Sequence, residues 1–244
     1  QTYYGYTAHQ REAADSLVKY LCLMISSKIA LWHALITSGG FGVEREVVEK
    51  FIIQEAPLPP FEVMSAANRE QAASLFAQLA EGETPERWRK VDEWVGSLFD
   101  LTPDDVQTIS DTLAYALPFS DNKKGAQAPT INQSRQVFAK RLETELKPWG
   151  ERFNRPMLVS SIETSTLSPW QFVCIGSDIN TVLGKLRDDF ASAINLSDKL
   201  SSTEIIILDR DTDCLILGRL NQARYWSVSQ ARLVARRIIW EHVD

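Results

Sequence analysis

The chain has 244 residues and a net charge of −6, with 44% apolar and 24% charged residues. That length holds one large or two small domains, and the composition is that of a folded globular chain rather than a disordered or fibrous one. The negative balance excludes a surface that coats nucleic acid uniformly, yet leaves room for a local basic face.

Lys19 and Lys28 interrupt the longest apolar run, which stays short of the ~18 residues a membrane span needs. No signal-peptide pattern opens the chain, and Gln1 to Tyr6 starts like a strand cut from something longer, so the chain reads as the C-terminal portion of a larger protein. Cys22, Cys174 and Cys214 are scattered among apolar neighbours, which predicts reduced core thiols and a cytoplasmic setting.

Tyr3 to Tyr6 reads as a short aromatic strand. Ala8 to Ile36 then reads as one long helix around which the rest is organised. Thr7 with Gln10 makes a capping-box start, and Gly39-Gly40 supplies the stop. Two adjacent apolar seams leave that helix little polar surface, so Ile25, Ile29 and Trp32 are expected to be buried. Gly39 to Gly42 is a turn without the Lys-Ser/Thr of a phosphate loop. Val43 to Lys50 is a short helix or extended segment, and Ile52 to Pro60 is extended because of its prolines. Ser65, Thr84-Pro85-Glu86 and Thr102-Pro103-Asp104-Asp105 are start signals for three amphipathic helices that end near Leu79, Phe99 and Ala116.

Ser120 to Thr130 is polar and aperiodic and carries Gly and Pro, which predicts a linker. Ile131 to Lys147 is a helix that Pro148 ends. Pro156–Glu163 and Trp170–Gly176 are strands, and Asn180–Lys199 is helical. Glu204–Leu208 and Asp213–Leu220 form a hairpin about an acidic turn, and Val228–Trp240 is the last helix. The predicted class is α+β. A long central helix with a helical layer occupies 1–118, a linker 119–130, and a smaller domain of strand-strand-helix twice over 131–244.

Leu21 to Gly42, LCLMISSKIALWHALITSGGFG, followed by VEREVVEKFIIQEAPLPP, resembles the target-recognition region of adenine-N6 DNA methyltransferases and restriction-modification proteins. That region has a helix of the type L-N-S-x-L-x-x-Y, a Gly/Ser turn, a basic residue and a closing L-P-I-P. Ser26-Ser27-Lys28-Ile29 stands for the N-S-x-L core, with Ser26 where the family has Asn. Arg45 follows the turn, and Pro57-Leu58-Pro59 closes it. VDEWVGSLFDLTPDDVQTISDTLAYAL resembles the helix pair that follows in such proteins, and NQARYWSVSQARLVARRII resembles their C-terminal tails. The resemblance implies a non-catalytic C-terminal portion that positions DNA and packs against the methylase domain of the same polypeptide. It implies S-adenosylmethionine as cofactor, bound in the upstream half and not in this chain.

The residues themselves agree with a non-catalytic reading. Adenine methyl transfer needs an Asn/Asp-Pro-Pro-aromatic motif and a glycine-rich cofactor loop, and Pro59-Pro60-Phe61 lacks the preceding Asn or Asp. His9, His33 and His242 are far apart, no cysteine pair has ligand spacing, and Asp209, Asp211 and Asp213 lack the glycine and distal glutamate of a calcium loop. No Gly-x-Ser-x-Gly elbow is present. Neither a catalytic site nor a metal is expected here.

One stretch departs from the acidic background. Cys214 to Trp240 holds no acid but carries Arg219, Arg224, Arg232, Arg236 and Arg237. Arg224-Tyr225-Trp226 joins a phosphate-seeking fork to two stacking rings just before the last helix, with Ser227 as a plausible cap. Arg224, Tyr225, Trp226, Arg232 and Arg236, together with Arg45, are therefore the candidate DNA-binding residues. The alternative places Tyr225 and Trp226 in the core and the arginines in ion pairs. The chain is then a protein-interaction module that docks a partner subunit of a modification or defence complex without touching DNA.

Overall fold

A computed structural model describes residues 14–38, 50–117, 119–164, 168–176, 194–199, 201–209 and 214–242. The class is α+β, largely helical with one four-stranded antiparallel sheet. The chain divides into two compact units, Gln1–Asn122 and Lys123–Asp244.

Among its described residues the first unit is all helix; the strand expected at Tyr3 to Tyr6 and the turn expected at Gly39 to Gly42 lie outside them. It contains α1 (Ala14–Ser26), α2 (Lys28–Thr37), α3 (Lys50–Gln54), a 3-10 turn (Phe61–Val63), α4 (Ala66–Ala80), α5 (Pro85–Leu98) and α6 (Pro103–Ala116). The long helix expected over Ala8–Ile36 is two helices, bent by 60° at Ser27; residues 8–13 lie outside the described set. The cause is local. Ser27 is extended, its Oγ accepts the Ala30 N–H at 3.2 Å as an N-cap, and the same hydroxyl donates to the Met24 carbonyl at 2.7 Å. The Lys28 N–H, another orphan of the new helix start, donates to Asp92 Oδ1 at 2.9 Å.

The bend sends the two halves of the segment to different cores, with Ile29 packed against both. Tyr20, Leu23 and Met24 of α1 pack with Phe61, Leu75, Val91, Trp94 and Val95. The Tyr20 hydroxyl donates to the Pro59 carbonyl at 2.5 Å, and its ring meets Trp94 edge-on at 6.3 Å. Leu31, Trp32 and Leu35 of α2 pack instead with Ile109, Leu113 and Leu117. Ile25, Ile29 and Trp32 are consequently half-buried, not fully buried as the single-helix reading requires. No single helix among the described residues is long and apolar enough to cross a membrane, and α1 with α2 reaches that length only as a bent pair.

The predicted helix starts hold. Ser65 accepts the Asn68 N–H, Thr84 the Arg87 N–H, and Thr102 with Asp105 forms a reciprocal capping box. Lys50–Gln54 is helical, so the extended segment begins only after it. Cys22 is exposed, whereas Cys174 and Cys214 are buried.

The predicted linker is also helical: α7 spans Ser120–Gln127, and the boundary between the units falls within it. Next, α8 (Asn132–Arg152) runs through Pro148 instead of stopping before it. Its last turn is held beyond the proline. Arg155 N–H donates to the Gly150 carbonyl at 2.8 Å, and a Cβ on Gly150 would stand 2.6 Å from the Arg155 oxygen, so only glycine admits that return of the chain.

The sheet comprises β1 (Leu158–Ile162), β2 (Trp170–Gly176), β3 (Glu204–Asp209) and β4 (Cys214–Leu220) in the order β1-β2-β4-β3. The last helix, α9, is Val228–His242. Of the helix expected over Asn180–Lys199, residues 194–199 are described and helical; the rest, and the turn at 210–213, lie outside the described residues. One sheet face carries Val173, Ile175, Leu215 and Leu217 against Phe138, Leu142 and Leu146 of α8 and Ala231, Val234 and Ile238 of α9. The other carries Trp170, Phe172, Cys174, Ile205 and Ile216.

Replacing Ser27 with Ala removes the cap that makes the bend. The expected cost is about 0.5–2 kcal/mol in a urea titration, the usual range for a lost N-cap. Unchanged stability in the alanine variant would show that the cap does not hold the bend.

Candidate nucleic-acid interface

Strand alternation builds the centre of this region. Arg219 on β4 lies in register with Gln171 on β2 and Glu204 on β3, so three polar side chains form one row across the sheet. The row is on the face that α8 and α9 cover. Arg219 is only 8% exposed, yet each arm of its guanidinium has a partner. Nε lies 3.0 Å from Glu204 Oε2, one terminal nitrogen donates to the Tyr225 carbonyl at 2.7 Å, and the other donates to Gln230 Oε1 at 2.9 Å. Burial pulls the Arg219 pKa below its ordinary value, and Glu204 opposes that shift. Glu204 also pairs with Arg237. At the far end of the row, Gln171 accepts from Arg135 of α8 and from the Thr164 hydroxyl.

The turn into α9 is pinned on every side. Ala223 N–H donates to the Ala128 carbonyl at 2.8 Å, and the Asn221 side chain accepts the Thr130 N–H at 3.0 Å. Trp226 Nε1 donates to the Leu220 carbonyl at 2.9 Å, and its ring packs 5.0 Å from that of Phe138. Ser227 caps α9 by accepting the Gln230 N–H.

The predicted residues therefore separate into groups. Trp226 is 2% exposed and part of the core, so its ring is not free to stack on a base, which corrects the expectation for that residue. Tyr225 is partly buried, and its ring is already faced by two guanidiniums, Arg224 at 4.8 Å and Arg219 at 5.4 Å from its centroid. Arg232 sits 3.7 Å from Glu145 of α8. Arg224 and Arg236 have no carboxylate partner among the described residues, and Arg236 lies on the exposed side of α9. Arg45 lies outside the described residues.

Two features escaped the sequence reading. Leu233, Arg236 and Trp240 step by three and four along the outer stripe of α9, with Leu233 57% and Trp240 87% exposed. Their offset from the core stripe of Ala231, Val234, Ala235 and Ile238 was the available signal. The polar row was marked by single charged or amide residues inside otherwise apolar strands.

Charge is unevenly divided between the units. Lys123–Asp244 carries 17 Lys and Arg against 14 Asp and Glu, and Gln1–Asn122 carries 9 against 18. The first unit also has an apolar cavity of about 310 Å³ lined by Met24, Ile29, Trp32, Leu58, Phe99 and Ile109. No group of His, Cys, Asp and Glu among the described residues has the arrangement of a metal site. Comparison with protein-family models, curated proteins and solved structures finds no match.

Glu204→Gln leaves the Arg219 guanidinium buried without its counter-charge. The expected destabilisation is about 3–5 kcal/mol, as for other broken buried pairs, and replacing both partners with apolar residues should cost less than the single change. Chemical denaturation of the single and double variants measures both; a loss in the single variant as small as that of a surface substitution would contradict the burial argument.

Proposed function

We propose that this chain is the C-terminal, non-catalytic portion of an adenine-N6 DNA methyltransferase or restriction-modification protein, a cytoplasmic protein in which it positions DNA and packs against the methylase domain. S-adenosylmethionine is bound outside this chain. The observation that carries the DNA reading is the pair Arg224 and Arg236. Both lie in the acid-free stretch of the positively charged unit, and neither is matched by a carboxylate among the described residues. Contacts of this kind hold the phosphate backbone and carry no base information. The family assignment rests on the motif around Ser26–Ile29 and Pro57–Pro59.

A second reading is favoured by the exposed Leu233–Trp240 stripe. An exposed tryptophan and an arginine on one helix face are residue types enriched at protein-binding hot spots. On that reading the chain docks a partner subunit and makes no DNA contact.

Gel-shift titrations with duplex DNA over a salt series separate the two. Each phosphate contact contributes a slope of about −0.9 in log K against log salt. The double variant Arg224→Ala, Arg236→Ala should flatten the slope by roughly 1.8 and weaken all sequences alike. Arg232→Ala, already engaged with Glu145, should change it less. Coincident slopes for wild type and the double variant, or no salt-dependent binding, would leave the protein-docking reading.

A further inference from the structure

Arg224 and Arg236 both lack a carboxylate partner among the described residues, but they are held differently. Arg236 projects from the exposed side of α9, and no ring or ion-pair contact to it is found among the described residues. Arg224 lies against the Tyr225 ring, at 4.8 Å from its centroid. That ring is itself fixed. Tyr225 packs against the core cluster of the second unit, its carbonyl accepts from buried Arg219, and the Arg219 guanidinium lies 5.4 Å from the same ring. The backbone of the turn is closed by Tyr225 N–H to the Gln222 carbonyl and Trp226 N–H to the Ala223 carbonyl, both at 3.0 Å. Arg219 and Arg224 both face the Tyr225 ring, and Glu204 pairs with Arg219 and with Arg237 of α9.

We propose that Tyr225 is a positioning residue that holds the Arg224 guanidinium in place before an anion arrives, making Arg224 a pre-ordered contact for a phosphodiester. The ligand class rests on the DNA reading above; the pre-ordering does not. A long arginine normally loses rotamer freedom when it binds, and that loss is subtracted from affinity. A guanidinium already stacked on a fixed ring has lost much of it in the free protein. Its planar fork then meets two phosphate oxygens with little further ordering. Tyr225 thus acts through Arg224 and does not stack on a base. Arg236 supplies charge without fixing orientation.

The test has two arms, both on the full chain. In the first, ¹⁵N relaxation of arginine Nε–H groups is measured without DNA. Arg224 should be more ordered than Arg236, Tyr225→Leu should bring it to the level of Arg236, and Tyr225→Phe, which keeps the ring, should leave it ordered. In the second, duplex DNA affinities form a double-mutant cycle. Tyr225→Leu should weaken binding roughly 2- to 10-fold without changing the salt slope, and should have no further effect once Arg224 is Ala. Tyr225→Met repeats both arms if the leucine variant does not fold. Equal mobility of Arg224 and Arg236 in the wild type overturns the pre-ordering. Losses from Tyr225→Leu and Arg224→Ala that multiply overturn the positioning role. Wild type that is ordered at Arg224 but binds no DNA overturns the phosphodiester assignment and the DNA reading, and leaves the pre-ordering standing.

Discussion

Arg219 is the charge on which the second unit depends. Moving a guanidinium out of water costs several kcal/mol, and it is tolerated only where its donors are met. Here the guanidinium is held from three directions at once, by the charge of Glu204 on the neighbouring strand and by hydrogen bonds to the Tyr225 carbonyl in the turn and to Gln230 in the first turn of α9. One side chain therefore ties the sheet to the helix that covers it. It also fixes register. Gln171, Arg219 and Glu204 share one row, so a slip of one residue would turn any of them to the opposite face, among Trp170, Phe172 and Ile216. An apolar side chain misplaced by such a slip still finds apolar neighbours on the other face; a guanidinium or carboxylate does not.

The same tie decides which arginines reach the surface. With α9 seated through Ala231, Val234, Ala235 and Ile238, Arg237 faces Glu204 and Arg232 faces Glu145. Arg236 is left outward beside Leu233 and Trp240, and Arg224 is left on the pinned turn. A stretch that looks uniformly basic in sequence thus presents two guanidiniums, those of Arg224 and Arg236, without a carboxylate partner among the described residues, one against the Tyr225 ring and the other on the exposed side of α9. That is enough for a backbone contact on a polyanion and too little for an electrostatic coat, which agrees with a chain whose other unit is strongly acidic. It is also a face on which Trp240 and Leu233 offer more apolar surface than a phosphate contact uses.

Much of the fold was legible because its signals are local. Ser65, Thr84 and Thr102 announce helices through their own hydroxyls, and alternation in Trp170–Gly176 and Glu204–Leu208 announces strands. The failures were tertiary. Ser27 sits inside an unbroken apolar periodicity, and nothing in that periodicity says that the two halves pack on different partners; the serine pair at 26–27 was the one available clue. Pro148 normally stops a helix, yet the Gly150–Arg155 return holds a further turn beyond it. Ser120–Gln127 has the composition of a linker and folds as a helix. In the candidate site, the arginines could be named from the absence of acids nearby. Which of them are paired could not, because Glu145 and Glu204 are distant in sequence and arrive only with the fold. Trp226 was misjudged for the same reason: its burial depends on Phe138, far upstream.

Arg224 and Arg236 are the arginines proposed to meet DNA, with Arg219 serving the fold. Arginine-directed modification by phenylglyoxal, mapped by mass spectrometry with and without duplex DNA, tests this directly. Arg224 and Arg236 should react in the free chain and be protected by DNA, and Arg219 should stay unreactive in both. Equal modification of Arg224 and Arg236 with and without saturating DNA would contradict the account.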